Sequence, residues 1–207
     1  MVTGAPYALI LAAGQATRFG GDKLLATLRG QPLIAHVAGT VAAAVAADLL
    51  GGAVAVVPPG ATELGRQLEL TGISQVENPA PEAGLAGSIQ LGLTALESVA
   101  RPAAQAALIV LADQPLLSGD VIRRLVAAWR RSGKSVRPRY AGSPHVPGHP
   151  VLLDRSLWAS AQRLAGDHGL GPMLAERPEW CEILDLPGSS PDIDTPSDLT
   201  AIEESPG

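Results

Sequence analysis

Short, wholly apolar runs alternate along this chain with longer alanine-, leucine- and valine-rich segments, and glycine and proline punctuate the joins. Residues 8–12 form the first apolar run, bounded by turn residues, and predict a buried strand. Residues 32–50, apolar on all sides and stopped by Gly51-Gly52, predict a helix. Residues 53–57 predict a second strand closed by Pro58-Pro59, 62–70 a helix, and 74–76 a short strand. Residues 88–99, with Leu91, Ala95 and Leu96 on one side, predict another helix. The run 105–111, wholly apolar after Gln105, predicts a strand covered on both faces, and 120–131 the helix after it, with Ser118 as its N-cap. Beyond Gly133 the pattern loosens. Residues 136–140 and 149–153 predict a strand pair around a 142–148 turn, 156–164 a helix, 166–171 a loop, and Pro196 the start of a last helix. Strands alternating with helices predict an α/β fold with a mostly parallel central sheet, one domain over residues 1–207, and a ligand outside the carboxyl ends of the strands.

The first strand runs straight into a loop containing Gly14, Arg18, Gly20, Gly21, Asp22 and Lys23. Glycine lets such a loop expose consecutive N–H groups to an anion without a Cβ in the way. Arg18 offers a two-pronged guanidinium and Lys23 a compact ammonium, so the stretch has the chemistry of a polyphosphate cradle. Two familiar cradles are excluded. A P-loop needs Ser or Thr after its lysine, and Leu24 follows Lys23; a dinucleotide fingerprint needs a glycine two positions after Gly14.

Composition narrows the classes. A chain of 207 residues, 46% hydrophobic and with a net charge of −5, suits a globular core and not a nucleic-acid surface. Arg123, Arg124, Arg130 and Arg131 sit on one helix and suit a solvated face or the helix C-terminal dipole. The single Cys181 excludes a disulfide framework and a multi-cysteine zinc site. No signal sequence and no membrane-length apolar span is present, so the expected setting is a soluble, cytoplasmic protein with no membrane partner.

Asp113, in Leu111-Ala112-Asp113-Gln114-Pro115, ends the most apolar strand. There it either holds Mg²⁺ at the carboxyl edge of the sheet or caps the following turn. In Asp192-Ile193-Asp194-Thr195-Pro196-Ser197-Asp198, Thr195 reads as an N-cap and Asp198 as a first-turn acid, which leaves Asp192 and Asp194 without a local structural role. The stretch 82–88, with Gly87 and Ser88, reads as a glycine-bearing loop opening a helix, its N–H groups available to a base edge or a carbonyl. His145 and His149 are no metal pair, because Pro147 between them forbids the helix that would align them. Residues 166–169 alone read as a surface turn.

Together these motifs resemble single-domain nucleotidyltransferases, most closely the molybdenum cofactor cytidylyltransferases. The likeness runs along nearly the whole chain, through LAAGQATRFGGDKLL, NPAPEAGLAGSIQLGL, LADQPLL, PGHPVLL, GDHGLGPML and DIDTPSDL. The resemblance implies a Rossmann-like (glycosyltransferase-A-like) fold and transfer of CMP from CTP to the terminal phosphate of the molybdopterin cofactor, with release of pyrophosphate. It implies that Leu11, Ala12, Ala13, Gly14, Arg18 and Lys23 hold the nucleotide, with Arg18, Lys23 and Asp113 as the catalytic set. Asp113 and Asp194, with Asp192 in reserve, bind Mg²⁺ or Mn²⁺. Gly87 and Ser88 contact the base, and Gln114, Gly148, His149, Pro150 and Asp167 face the pterin. Ala13 stands where guanylyltransferase relatives carry a second glycine, and its Cβ is expected beside the base, leaving room for a pyrimidine. The partners implied are CTP, the molybdopterin cofactor and a molybdenum hydroxylase apoprotein, with the chain acting as a monomer. The rival readings are another nucleotidyltransferase, guanylyl- or sugar-type, and a non-catalytic cofactor carrier.

Overall fold

The computed structural model describes residues 4–14, 19–20, 22–100 and 103–204. In chain order its elements are β1 (Pro6–Leu11), a two-residue hairpin of β2 (Thr27–Leu28) and β3 (Gln31–Pro32), α1 (Leu33–Ala46), β4 (Ala53–Val57), α2 (Thr62–Glu69), β5 (Ser74–Glu77), α3 (Leu85–Val99), β6 (Ala106–Leu111), α4 (Gly119–Ser132), β7 (Ser135–Tyr140), β8 (Val151–Asp154), α5 (Trp158–Ala161), α6 (Leu170–Ala175), β9 (Cys181–Leu186) and α7 (Pro196–Glu204). Seven strands make one sheet in the order β5-β4-β1-β6-β8-β7-β9. The pairs β1·β4, β1·β6, β4·β5 and β7·β9 are parallel, and β8 alone runs antiparallel to its neighbours β6 and β7. The result is an α/β fold with a mostly parallel sheet between helical layers.

The period-2 geometry of a strand sorts its residues between two cores. Ala8, Ile10 and Ala12 join Ala55, Val57, Leu108 and Val110 beneath α1, α2 and α4. Tyr7, Leu9, Leu11 and Ala13 join Val54, Val56, Ala107 and Ile109 beneath α3, α5 and α6. Leu9, Ile10, Leu108 and Ile109 are fully buried, each contributing about 1.5–3 kcal/mol from the surface it removes from water. Gly92 brings α3 close to β1, since a Cβ there would lie 2.2 Å from Leu9 Cδ1. A third, small cluster of Leu28, Leu33, Ile193 and Ile202, with Phe19 and Leu199 against it, ties the first glycine loop to the C-terminal helix.

Helix caps follow the sequence closely. Ser118 accepts from Val121 N–H at the start of α4, and Gly133 closes that helix with φ +69°. Thr195 and Asp198 form a reciprocal capping box: Asp198 N–H donates to Thr195 Oγ1, and Thr195 N–H donates to Asp198 Oδ2. The arginine-rich face of α4 is solvated, with Arg123 and Arg124 both paired to Asp120. Among the described residues no helix is long and apolar enough to cross a membrane.

Five local expectations change. Helix α1 ends at Ala46, four residues before the expected Leu50. Helix α3 starts at Leu85, three residues before Ser88, because Gly84 takes φ +94° and serves as its N-cap. The helix expected over 156–164 is a 3-10 turn at Arg155–Leu157 followed by the single turn of α5. The loop expected over 166–171 gives way at Leu170 to α6, whose Leu170 and Leu174 complete the second core. Strand β9 was not expected; its CEILDL is buried only at Cys181 and Leu186, with half-buried and exposed positions between them, as suits a strand at the sheet edge.

Candidate active site

The carboxyl ends of β1, β4 and β6 open into a cavity of about 640 Å³. Leu11, Ala12 and Gly14 line it after β1, Pro58 to Ala61 after β4, and Ala112 and Asp113 after β6. The start of α2 (Thr62–Leu64), the turn Asp22–Leu25 and Asp194 complete the lining. This is the sheet edge where parallel α/β folds place their ligands.

Three charged side chains meet on its floor. Lys23 lies in a 3-10 turn whose Leu24 and Leu25 pack against the first core, which aims its ammonium inward. Its Nζ donates to Asp113 Oδ2 at 2.7 Å and to Asp194 Oδ1 at 3.3 Å. The lysine side chain is only 11% exposed, the two carboxylates 23% and 34%. Asp113 is fixed by the chain on both sides: Ala112 N–H donates to the Leu11 carbonyl, and Ile193 N–H donates to Asp113's own carbonyl at 3.0 Å. That last bond, with the small cluster around Ile193, brings Asp194 beside Asp113. Asp198 Oδ2 accepts from the N–H groups of both Asp194 and Thr195, which fixes the turn from the helix side.

Asp113 Oδ1 is buried and has no hydrogen-bond partner among the described residues. A buried carboxylate oxygen left unsatisfied is costly unless a cation or donor reaches it. Among the described residues no group of three or more His, Cys, Asp or Glu side chains forms a metal cage. Asp113 and Asp194, with that spare oxygen, are the residues that could hold a hard divalent cation of the Mg²⁺ type, which takes one or two carboxylates and completes its shell with phosphates and water. Asp192 stands behind this pair. Its Oδ1 accepts from Gln114 Nε2 at 2.7 Å, and burial, reinforced by the negative charge of Asp113 and Asp194, raises its pKa against that hydrogen bond. It therefore serves more to hold Gln114 than to share Lys23.

Of the residues singled out in the sequence, Leu11, Ala12, Gly14, Lys23, Asp113 and Asp194 come together around the cavity. Arg18 lies outside the described residues. Ala13 does not line the cavity: strand alternation turns its side chain into the second core, where it is 2% exposed, so its Cβ is not beside this cavity as expected. Gly87 and Ser88 lie inside the first turn of α3, outside the cavity lining, and the buried Ser88 hydroxyl already accepts from Asn78 Nδ2. Gly87 retains open space around the position of a Cβ. Near the α3 N-terminus a second set of loops gathers. Ala86 N–H donates to the Gly166 carbonyl, and a Cβ on Gly84 would lie 2.6 Å from Asp167 Oδ1.

Gly148, His149 and Pro150 precede β8, with a cis His149–Pro150 bond; Gly148 N–H donates to the Pro138 carbonyl and Tyr140 Oη to the His149 carbonyl. Burial first, and then the charge of Arg137, pull the His149 pKa down to about 4, against the Ile109 carbonyl and Asp113. Sequence reasoning missed Pro58, Pro59, Thr62 and Glu63 as lining residues. The signal was present, since a loop after any strand of a parallel sheet faces the ligand edge.

A model of the MobA-like NTP transferase domain matches residues 8–180. A probable molybdenum cofactor guanylyltransferase of Thermococcus gammatolerans is 25% identical over 184 residues, covering 86% of each chain. A molybdenum cofactor guanylyltransferase of Bradyrhizobium sp. is 35% identical over 153 residues, 72% of this chain and 64% of the relative. Among solved structures, Rv0371c of Mycobacterium tuberculosis superposes with a TM-score of 0.79 at 23% identity, covering 99% of this chain and 100% of that one. A complex of the same protein with manganese gives 0.76 at 22% identity, with the same coverage.

Proposed function

Because the chain belongs to the MobA-like NTP transferase domain family, we propose that it transfers a nucleoside monophosphate from a nucleoside triphosphate to the terminal phosphate of the molybdopterin cofactor. The observation that supports this is the convergence of Lys23, Asp113 and Asp194 on the cavity beside Gly14, with one Asp113 oxygen unpartnered among the described residues. A pure carrier would have no use for two carboxylates aimed at a triphosphate-sized cavity. The relatives named above as molybdenum cofactor guanylyltransferases support the acceptor.

In this reading the acceptor's phosphate oxygen forms the new bond to the α-phosphorus while the bond to the bridging oxygen of pyrophosphate breaks. The nucleophile is already an anion, so the protein supplies no base and no covalent intermediate. Its work is positioning and charge neutralisation. Lys23 moves its ammonium from the carboxylates onto the triphosphate, and Arg18 adds a forked contact to the same group. Asp113 and Asp194 would hold Mg²⁺ or Mn²⁺, which when bound would supply neutralisation of the charge on the departing pyrophosphate. Gly148, His149, Pro150, Gln114 and Asp167 face the pterin.

The nucleotide we propose is CTP, on the resemblance of LADQPLL to the cytidylyltransferases. GTP is the second reading, favoured by the relatives' names and by the position of Ala13 in the core. Pyrophosphate release with Mg²⁺, molybdenum-loaded cofactor and either CTP or GTP tests both. Release with CTP alone is the expected result. Release with GTP alone keeps the chemistry and replaces the base, and no release with either, despite nucleotide binding, overturns the acceptor.

A further inference from the structure

Arg137 lies on β7, one residue from Val136, which packs in the first core; strand alternation therefore turns Arg137 to the opposite face, with Cys181, Leu170 and Leu174. It is 9% exposed. Its Nη2 donates to the Pro147 carbonyl, its Nε is buried without a partner, and no carboxylate among the described residues pairs with it. Nη1 has no partner among the described residues either, yet it is not sealed from solvent. A Cβ on Gly171 would lie 3.7 Å from both terminal nitrogens, so the first turn of α6 rests close to the guanidinium. Nearby His149 has its own Nδ1 buried and unpartnered among the described residues.

Folding does not explain this residue. A buried, unpaired guanidinium costs stability, and a neutral side chain of similar length would serve the core better. A group kept at the expense of stability points to binding. The triphosphate is not its ligand, because neither Arg137 nor His149 lines the cavity that holds Lys23 and Asp113. What adjoins Arg137 instead is the loop 147–150 and the start of α6.

We propose that Arg137 is a binding residue for the acceptor substrate, its guanidinium donating to an oxygen of that molecule, either a ring carbonyl or a phosphate oxygen. The assignment rests on the nucleotidyl-transfer reading above. The test compares the wild-type protein with Arg137→Met and Arg137→Lys, using 6-hydroxymethylpterin and inorganic phosphate as separate probes, Mn²⁺–CTP and Mn²⁺–GTP binding as controls, and thermal melting of each variant. Arg137→Met is expected to bind one of the two probes about tenfold or more weakly, with nucleotide binding within about twofold and a melting temperature unchanged or raised by a few degrees. Arg137→Lys keeps the charge and is expected to fall between. Loss confined to the pterin assigns the ring carbonyl, and loss confined to phosphate assigns the phosphate; both support the proposal. Equal affinity of wild type and Arg137→Met for both probes overturns it, as does a variant that melts several degrees lower and loses nucleotide as well. If the wild type binds a nucleotide but neither probe, the acceptor reading itself fails and this inference falls with it.

Discussion

Asp113→Asn removes one charge and almost no volume, so it isolates what the carboxylate does. At 2.7 and 3.3 Å, Lys23 is attracted to Asp113 and Asp194 by about 6 and about 5 kcal/mol at an effective dielectric of about 20. Desolvation offsets most of this, and Lys23 keeps Asp194 in the variant. The expected net stability loss is therefore about 1–2 kcal/mol. Against a typical total of about 5–15 kcal/mol, such a loss leaves nearly all of the protein folded at 25 °C. The expected loss of turnover is far larger, about 10²–10³-fold, the scale seen when a preorganised charge partner of a transition state is removed. Pyrophosphate release at saturating Mg²⁺, together with a thermal melt, separates the two effects. Turnover within about threefold of wild type would refute the assignment of Asp113, because folding alone then accounts for its position.

Lys23→Met leaves Asp113 and Asp194 without their ammonium; Mn²⁺ binding in the absence of nucleotide, read by electron paramagnetic resonance, is expected to tighten about tenfold while nucleotide affinity falls. Unchanged Mn²⁺ affinity would show that the lysine and the cation do not compete. His149 titrates near 4 in the folded protein against 6.5 when free, a lowered pKa for a base. The unfolded chain thus takes up the proton first, and stability is full above about pH 6.5 and falls as pH drops toward about 4, by about 3 kcal/mol at most. Denaturant titrations of the wild type and His149→Gln at pH 7 and pH 4.5 check this, and equal acid slopes would remove His149 as the cause. Gly84→Ala puts a Cβ at φ +94° and 2.5 Å from the Gly166 carbonyl carbon, and is expected to cost about 2–4 kcal/mol. Gly87→Ala, with open space, should stay within about 0.5 kcal/mol; equal costs would mean that the contact between loops 84 and 166 carries no strain.

Much of the fold and part of the site were legible in the sequence because they are written locally. Runs such as AALIVL and AVAVV identify buried strands by composition alone, and Ser118, Gly133 and the Thr195–Asp198 pair mark helix ends through hydrogen bonds spanning a few residues. The placing of Lys23 and Asp113 after strands foretold the ligand edge. The misreadings have local causes too. Gly84 could have been a loop residue or a cap, and α5 and α6 are too short for periodicity to register.

The sequence by itself thus determined most of the strands and helices up to β8, their apolar faces, several helix ends, and which side chains carry charge to the carboxyl ends. Tertiary structure decided which of these meet. Lys23 finds Asp113 and Asp194 across separations of 90 and 171 residues, through an Ile193–Asp113 backbone bond and a four-residue apolar cluster that no local pattern announces. It also decided that β8 inserts antiparallel between β6 and β7, that Ala13 faces the core, and that Arg137 is buried with no carboxylate paired to it among the described residues. Local sequence sets backbone preference and periodicity over a turn or two. Burial, register and charge pairing depend on what another, distant segment presents, and that is fixed only when the sheet closes.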